Sequence, residues 1–213
     1  MTEVWAAVPV KEFTGAKQRL AALLTPAQRE ILAATMLEDV LAALAGAHRL
    51  GGILVNTVEP RAVALARRYG GRVVTDGARD GHTGAVLGMA RVLAAEGRDM
   101  LALPGDIPHV TAAEIDTVVS SARPASSFTI VPAHDAQGSN AVLCAPPGAV
   151  PLRFGDDSYF PHLAAARRCG IEPTIVRLPG IALDIDHPAD LRMFLRAPRM
   201  PTRTLALLEE FGL

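Results

Sequence analysis

Lysine occurs twice in this chain of 213 residues, at Lys11 and Lys17, and arginine supplies every other basic side chain. Aromatic residues are also scarce, at 4%. The basic residues form no stripe interleaved with aromatics, which argues against a nucleic-acid partner. The formal net charge of -1 adds no general attraction to polyanions. Cysteine appears only at Cys144 and Cys169. Two are too few for a disulfide framework, and CxxC spacing is missing, so neither a zinc ribbon nor a redox pair is expected. A reducing cytoplasm fits that usage. No apolar run approaches the roughly 18 residues that cross a bilayer. The opening MTEVWAAVPV lacks a basic region followed by a long apolar stretch, so no signal peptide is expected. The six histidines are scattered without an HxxxH pair, and none is assigned to a structural metal.

Phosphate-binding signatures are missing as well. There is no GxxxxGK[ST], which excludes a P-loop kinase or GTPase, and no GxGxxG follows the first strand. GxSxG is absent, so no strand-borne serine nucleophile is indicated.

What the chain has is an alternation of short apolar strands with helices of ten or more residues. VWAAV (4–8), GGILVN (51–56), RVVT (72–75) and DMLALP (99–104) read as strands. Helices are expected over 26–45, 60–70, 83–95 and 112–122. Two of these carry capping boxes, Thr25 with Gln28 and Thr111 with Glu114. This order implies βαβ units around a buried parallel sheet. The rhythm then changes. SFTIVPA (127–133) and NAVLCA (140–145) have only a loop between them and form a hairpin or neighbours in a mixed sheet. A helix over 158–169, late strands TIVRL (174–178) and IALDID (181–186), a helix over 188–196 and a final one over 202–211 complete the pattern. No linker or repeat interrupts it. The expectation is one α/β domain over 1–213, a mostly parallel mixed sheet with helices on both faces.

Open α/β sheets bind ligands beyond the carboxyl ends of their strands. Three junctions stand out. The first carries Lys11, Gly15, Lys17 and Arg19, three cations and a flexible backbone suited to a polyphosphate, or else a solvated basic loop. The fourth strand ends in LPGDIP, which presents Asp106 at the sheet edge in a tight turn. Such a carboxylate suits Mg²⁺, which takes one or two carboxylates plus substrate phosphates. In IALDIDHPADL, residues two apart on a strand share a face, so Asp184 and Asp186 point together. Paired carboxylates repel unless a cation lies between them. Asp190 reads as a helix cap for Pro188 onward. A basic strand-end loop, a Gly-Asp turn and an Asp-x-Asp pair are the parts of a metal-assisted nucleotidyl transfer. No activated nucleophile is present, which fits an acceptor that is already an anion, such as a phosphate monoester.

In order, VPVK, AKQRL, LPGDIP, Gly138-Ser139-Asn140, RFGDDSYFPH and LDIDHPADL resemble the 2-phospho-L-lactate guanylyltransferase family, over about 5–195. The resemblance implies a Rossmann-like nucleotidyltransferase fold of the nucleotide-diphospho-sugar transferase type. It implies GTP as donor, Mg²⁺ as cofactor and a small phosphorylated acid as acceptor: 2-phospho-L-lactate, phosphoenolpyruvate or 3-phosphoglycerate. The product would serve biosynthesis of a deazaflavin coenzyme. Carried over by position, Asp106, Asp184 and Asp186 would hold the metal. Lys11, Lys17 and Arg19 would meet the triphosphate, and Ser139, Gly155 and Ser158 the acceptor. The chain departs from the family in two places. Serine replaces threonine in the Gly-Thr-Asn segment. Gly81-His82-Thr83 replaces Gly-Leu-Asn in a loop where Gly81 and Thr83 are candidates for nucleotide contact. Two alternatives stand beside this reading: a nucleotidyltransferase for another base or for a sugar-phosphate or molybdopterin acceptor, and a non-catalytic nucleotide-binding module. The oligomeric expectation is a monomer or homodimer, in the cytoplasm.

Overall fold

A computed structural model describes every residue except Met1, Pro124, Ala125, Asp156 and Arg199. Seven strands form one sheet: β1 Val4–Pro9, β2 Leu50–Asn56, β3 Arg72–Val74, β4 Asp99–Ala102, β5 Ser127–Pro132, β6 Ser139–Ala145 and β7 Thr174–Ile175. Their spatial order is β3-β2-β1-β4-β6-β5-β7. Strands β1 to β4 pair in parallel. β6 runs antiparallel to both β4 and β5, and β7 returns parallel to β5. The sheet is therefore mixed, and the two strands joined by a short loop form the hairpin.

Helices α1 Pro26–Gly46, α2 Pro60–Arg68 and α4 Ala112–Ser120 bury Leu41, Ala66 and Ile115 against one face of the sheet. Helices α3 Gly81–Ala95 and α5 Tyr159–Arg168 bury Met89 and Leu163 against the other. Strand β1 shows how one sequence serves both layers. Val4, Ala6 and Val8 enter the first core while Trp5 and Ala7 enter the second, as the two-residue period of a strand requires. Three further helices follow: α6 Pro179–Ala182, α7 Pro188–Arg196 and α8 Arg203–Glu210. Leu191, Phe194 and Leu208 from α7 and α8 pack on Leu32 and Met36 of α1 in a third apolar cluster. Asp39 of α1 fixes α8 by accepting from the backbone N–H groups of Arg203 and Thr204. Both expected capping boxes form, at Thr25 and Thr111.

Two expectations fail. IALDID is not a strand. Pro179 starts the short helix α6, and residues 183–186 continue as extended chain outside the sheet. The cause is a distant contact. The Gly180 N–H donates to Glu114 Oε1 at 2.8 Å, and a Cβ at 180 would collide with the His109 carbonyl. TIVRL contributes only Thr174 and Ile175 to the sheet. In addition, α3 begins at Gly81, so Thr83 lies in its first turn and not in a loop. Among the described residues no helix is long and apolar enough to cross a membrane.

Candidate active site

In the sheet order, β1 has β2 on one side and β4 on the other, so the chain reverses its direction of winding between β1 and β4. A crevice opens at such a point beyond the carboxyl ends of the strands. Two clefts of ≈ 760 Å³ each lie there, and Lys11, His82, Pro104, Asp106 and Asp186 line both.

The loop after β1 is held in one shape. Phe13 is buried and its N–H donates to Glu59 Oε2 at 3.1 Å, while the Arg61 guanidinium lies 5.0 Å from the Phe13 ring centre. The chain then turns through Gly15 at φ 73° and Lys17 at φ 52°. The first suits glycine. The second is an uncommon conformation for a side-chain-bearing residue, and it marks the position at which this loop aims its ammonium.

Lys17 Nζ stands 2.5 Å from Asp106 Oδ2 and 2.6 Å from Asp186 Oδ1, with its side chain 8% exposed. Arg19 reaches Asp186 from the outside at 3.4 Å. The turn carrying Asp106 is tied to the distant acidic segment by the backbone: Ile185 N–H donates to the Asp106 carbonyl at 3.1 Å. Residues 106, 184 and 186 thus converge, although 184–186 are not a strand. Leu183 and Ile185 point into the core, and Asp184 and Asp186 both line the cleft. Asp184 Oδ1 accepts from Asn140 Nδ2 at 3.0 Å, and the same amide lies 3.0 Å from the Ile181 and Ala182 carbonyls. Asp190 caps α7 by accepting from the N–H groups of Asp186 and His187.

These groups perturb one another. Burial disfavours the charge on Lys17, but Asp106 and Asp186 outweigh it and hold the pKa above the usual lysine value. Burial likewise opposes ionisation of Asp186, yet the Lys17 ammonium and then Arg19 keep its carboxyl below the usual range. Asp184 moves the other way. Burial raises it, Asp106 and Asp186 raise it further, and the Asn140 hydrogen bond only partly offsets them. The acidic side of the cleft therefore holds more negative charge than its cations satisfy.

That surplus is the test of whether a divalent ion suits the site. The donors are all carboxylate oxygens, one of them uncompensated, which fits a hard cation such as Mg²⁺. Lys17 now fills the space between Asp106 and Asp186, and among the described residues no three His, Cys, Asp or Glu side chains form a ready-made cage.

The second cleft has a different lining. Ser139 opens β6 and Ser158 precedes α5. Ser158 does not cap its helix with its hydroxyl; Ser158 Oγ lies 3.1 Å from Ser139 Oγ and accepts from Ser139 N–H at 3.1 Å. Gly155 lines this cleft with open space where a Cβ would stand. Of the pair expected at the nucleotide, Gly81 lines the first cleft. The Thr83 hydroxyl is committed elsewhere, accepting from Phe154 N–H at 3.0 Å and locking α3 to the 154 segment. Its neighbour His82 faces both clefts instead, its ring centre 4.8 Å from that of Phe154. Burial, with Lys11 adding to it and Asp106 opposing, holds His82 below the usual histidine pKa.

Sequence reasoning passed over Asn140 and His162. Both stand in the Gly-Ser-Asn and FGDDSYFPH segments, but the Asp184 partner of Asn140 is 44 positions away and the Ser139 partner of His162 is 23 positions away, so neither carries a local signal.

Comparison with known proteins places the chain in a family. Residues 4–200 match the family model described as guanylyl transferase CofC like. A phosphoenolpyruvate guanylyltransferase of Rubrobacter xylanophilus is 37% identical over 188 residues, covering 88% of this chain and 91% of that protein. A 3-phospho-D-glycerate guanylyltransferase of Colwellia psychrerythraea is 32% identical over 187 residues, covering 87% and 88%. In fold, the chain is similar to a crystal structure described as a nucleotide-diphospho-sugar transferase from Desulfovibrio desulfuricans G20. The TM-score is 0.78 at 19% identity, over 100% of this chain and 96% of that one.

Proposed function

The chain belongs to the CofC-like guanylyl transferase family, and from that premise we propose that it transfers GMP from GTP to a small phosphorylated carboxylic acid in deazaflavin coenzyme biosynthesis. The observation that carries this reading is the convergence of Lys17, Asp106, Asp184 and Asp186 beside the Ser139–Ser158 pocket.

The first cleft would take the nucleotide, with Lys11, Lys17 and Arg19 toward its phosphates. The second would take the acceptor, with Ser139, Gly155 and Ser158 around its anionic groups, the pocket standing at the start of α5 where a helix favours negative charge. An oxygen of the acceptor phosphate attacks the α-phosphorus of GTP. The bond from that phosphorus to the bridging oxygen breaks, and pyrophosphate leaves. The acceptor is mostly a dianion at pH 7, so no base is needed, and the work is alignment and charge neutralisation. Asp106, Asp184 and Asp186 would hold Mg²⁺, which supplies neutralisation of the triphosphate and of the departing pyrophosphate. Lys17, now shared between two carboxylates, is positioned to exchange one of them for a phosphate oxygen.

The test is transfer of label from α-labelled GTP to phosphoenolpyruvate, 2-phospho-L-lactate and 3-phosphoglycerate with Mg²⁺ present. Formation of a labelled guanosine diphospho-acid with at least one acceptor is expected; no transfer to any of them overturns the proposal. His82, which faces both clefts where the family has leucine, favours one rival, a different base. Thermal shifts with the four nucleoside triphosphates separate the two, GTP giving the largest shift if guanine is read.

A further inference from the structure

His162 lies outside the groups assigned above. It is 1% exposed, packed against Phe154 and Phe128 with ring centres 5.1 and 6.3 Å apart, and it does not line the cleft. Both of its ring nitrogens are engaged. Nε2 stands 3.1 Å from the backbone nitrogen of Arg153. A peptide N–H can only donate, so Nε2 accepts and carries no proton. Burial pushes the imidazole pKa down to about 4, so the ring is neutral at pH 7. A neutral ring with a bare Nε2 has its one proton on Nδ1.

Nδ1 lies 2.9 Å from Ser139 Oγ and therefore donates to it. The Ser158 hydroxyl donates to the same oxygen at 3.1 Å, while Ser158 Oγ accepts from Ser139 N–H. Ser139 Oγ thus receives two hydrogen bonds, which use its two lone pairs. Its own proton remains, and the residue faces the cleft. Had Nδ1 been bare, that proton would have been spent on the ring. A carboxylate or phosphate offers only acceptors, so a hydroxyl forced to donate is matched to an anion, and a competing donor is refused.

We infer that His162 is a positioning residue that holds the Ser139 hydroxyl as an outward hydrogen-bond donor to the acceptor's anionic group. It acts through Ser139 and does not touch the substrate. Through Arg153 the same ring anchors the segment that carries Gly155 to this pocket. The inference rests on the second cleft being the acceptor site.

Two measurements test it. In the intact protein at neutral pH, nitrogen-15 spectra of the His162 ring should show Nδ1 protonated and Nε2 bare; the reverse tautomer overturns the inference. In steady-state kinetics, Ser139→Ala should raise KM for phosphoenolpyruvate about ten-fold while KM for GTP moves less than about two-fold. His162→Phe, which keeps a ring against Phe128 and Phe154, should give the same split. The double variant should be no worse than Ser139→Ala alone. His162→Asn, whose amide nitrogen can stand in for Nδ1–H, should recover most of the loss. An unchanged acceptor KM in Ser139→Ala removes the acceptor site itself. A clear effect there, with none in His162→Phe or with fully multiplicative losses, removes only the role of His162. Should His162→Phe not fold, the tautomer and the His162→Asn variant decide.

Discussion

On one side of the site Lys17, Arg19, Asp106 and Asp186 hold one another by charge, and Asp184 is left in surplus. On the other side Ser139, Ser158 and His162 hold one another with neutral groups, and only the Ser139 hydroxyl proton is left over, toward the cleft. The difference separates two ways of preparing for an anion. On the proposed reading the charged side is unbalanced until ligands arrive, so it would rearrange its ion pairs on binding. The neutral side is finished beforehand and can discriminate by the direction of its donors, with little reorganisation.

Breaking the charged side should cost most. Asp184→Asn keeps the shape but removes the surplus charge, and turnover should fall by about a thousand-fold with secondary structure intact by circular dichroism. A normal rate would take Asp184 out of the chemistry. Lys17→Arg should cost about a hundred-fold, because a planar guanidinium cannot replace a compact ammonium seated 2.5 and 2.6 Å from two carboxylates. Magnesium titrations of the rate would show whether the residual activity has lost metal sensitivity.

The two sides should also separate along the pH axis. Unfolded histidine titrates near 6.5 and His162 near 4. Between these values the unfolded chain takes up a proton that the native chain refuses, so stability falls as pH falls from 6.5 and levels off below 4. The change is at most about 3 kcal/mol, and His162→Phe should flatten it in denaturant titrations at pH 7 and 4.5. Lys17 and Asp186 of the charged side contribute outside that window. Lys17 has a raised pKa, so its share is complete below 10.5 and is lost as pH climbs through the raised value. Asp186 has a lowered pKa, so its share is present above 3.8 and is lost as pH drops through the lowered value.

Two smaller effects test the joints. Asn140→Ala strips hydrogen bonds from buried carbonyls and from Asp184, and should cost about 2 kcal/mol of stability as well as activity. Thr83→Val leaves the Phe154 N–H without its partner at nearly constant shape, and should cost about 1 kcal/mol in the same titrations.

The layered α/β plan was legible because buried parallel strands write themselves as short apolar runs, and because Thr25 and Thr111 sign their helices within four residues. The convergence of Asp106 with Asp184 and Asp186 could be anticipated from an Asp at a strand end and an Asp-x-Asp pair in an apolar segment, although the strand expected over 181–186 does not form. Their surroundings could not. Segment 179–182 is helical because Gly180 meets Glu114 and His109, some 70 positions earlier. Lys17 reads as a phosphate ligand in isolation, and only the folded chain sets it between two carboxylates. Thr83 looked available for a nucleotide until Phe154 claimed its hydroxyl. His162 offered no periodic or motif signal of its own; its meaning comes from an N–H nine residues back and a serine twenty-three residues back.

The backbone link from Ile185 to the Asp106 carbonyl has a consequence for synthesis. A growing polypeptide completes the β1 and β4 ends early, yet the Asp106 turn waits for residues 184–186 before it acquires its acidic neighbours. Ribosome-bound intermediates shorter than that therefore carry Asp106 without the two carboxylates that complete the acidic constellation.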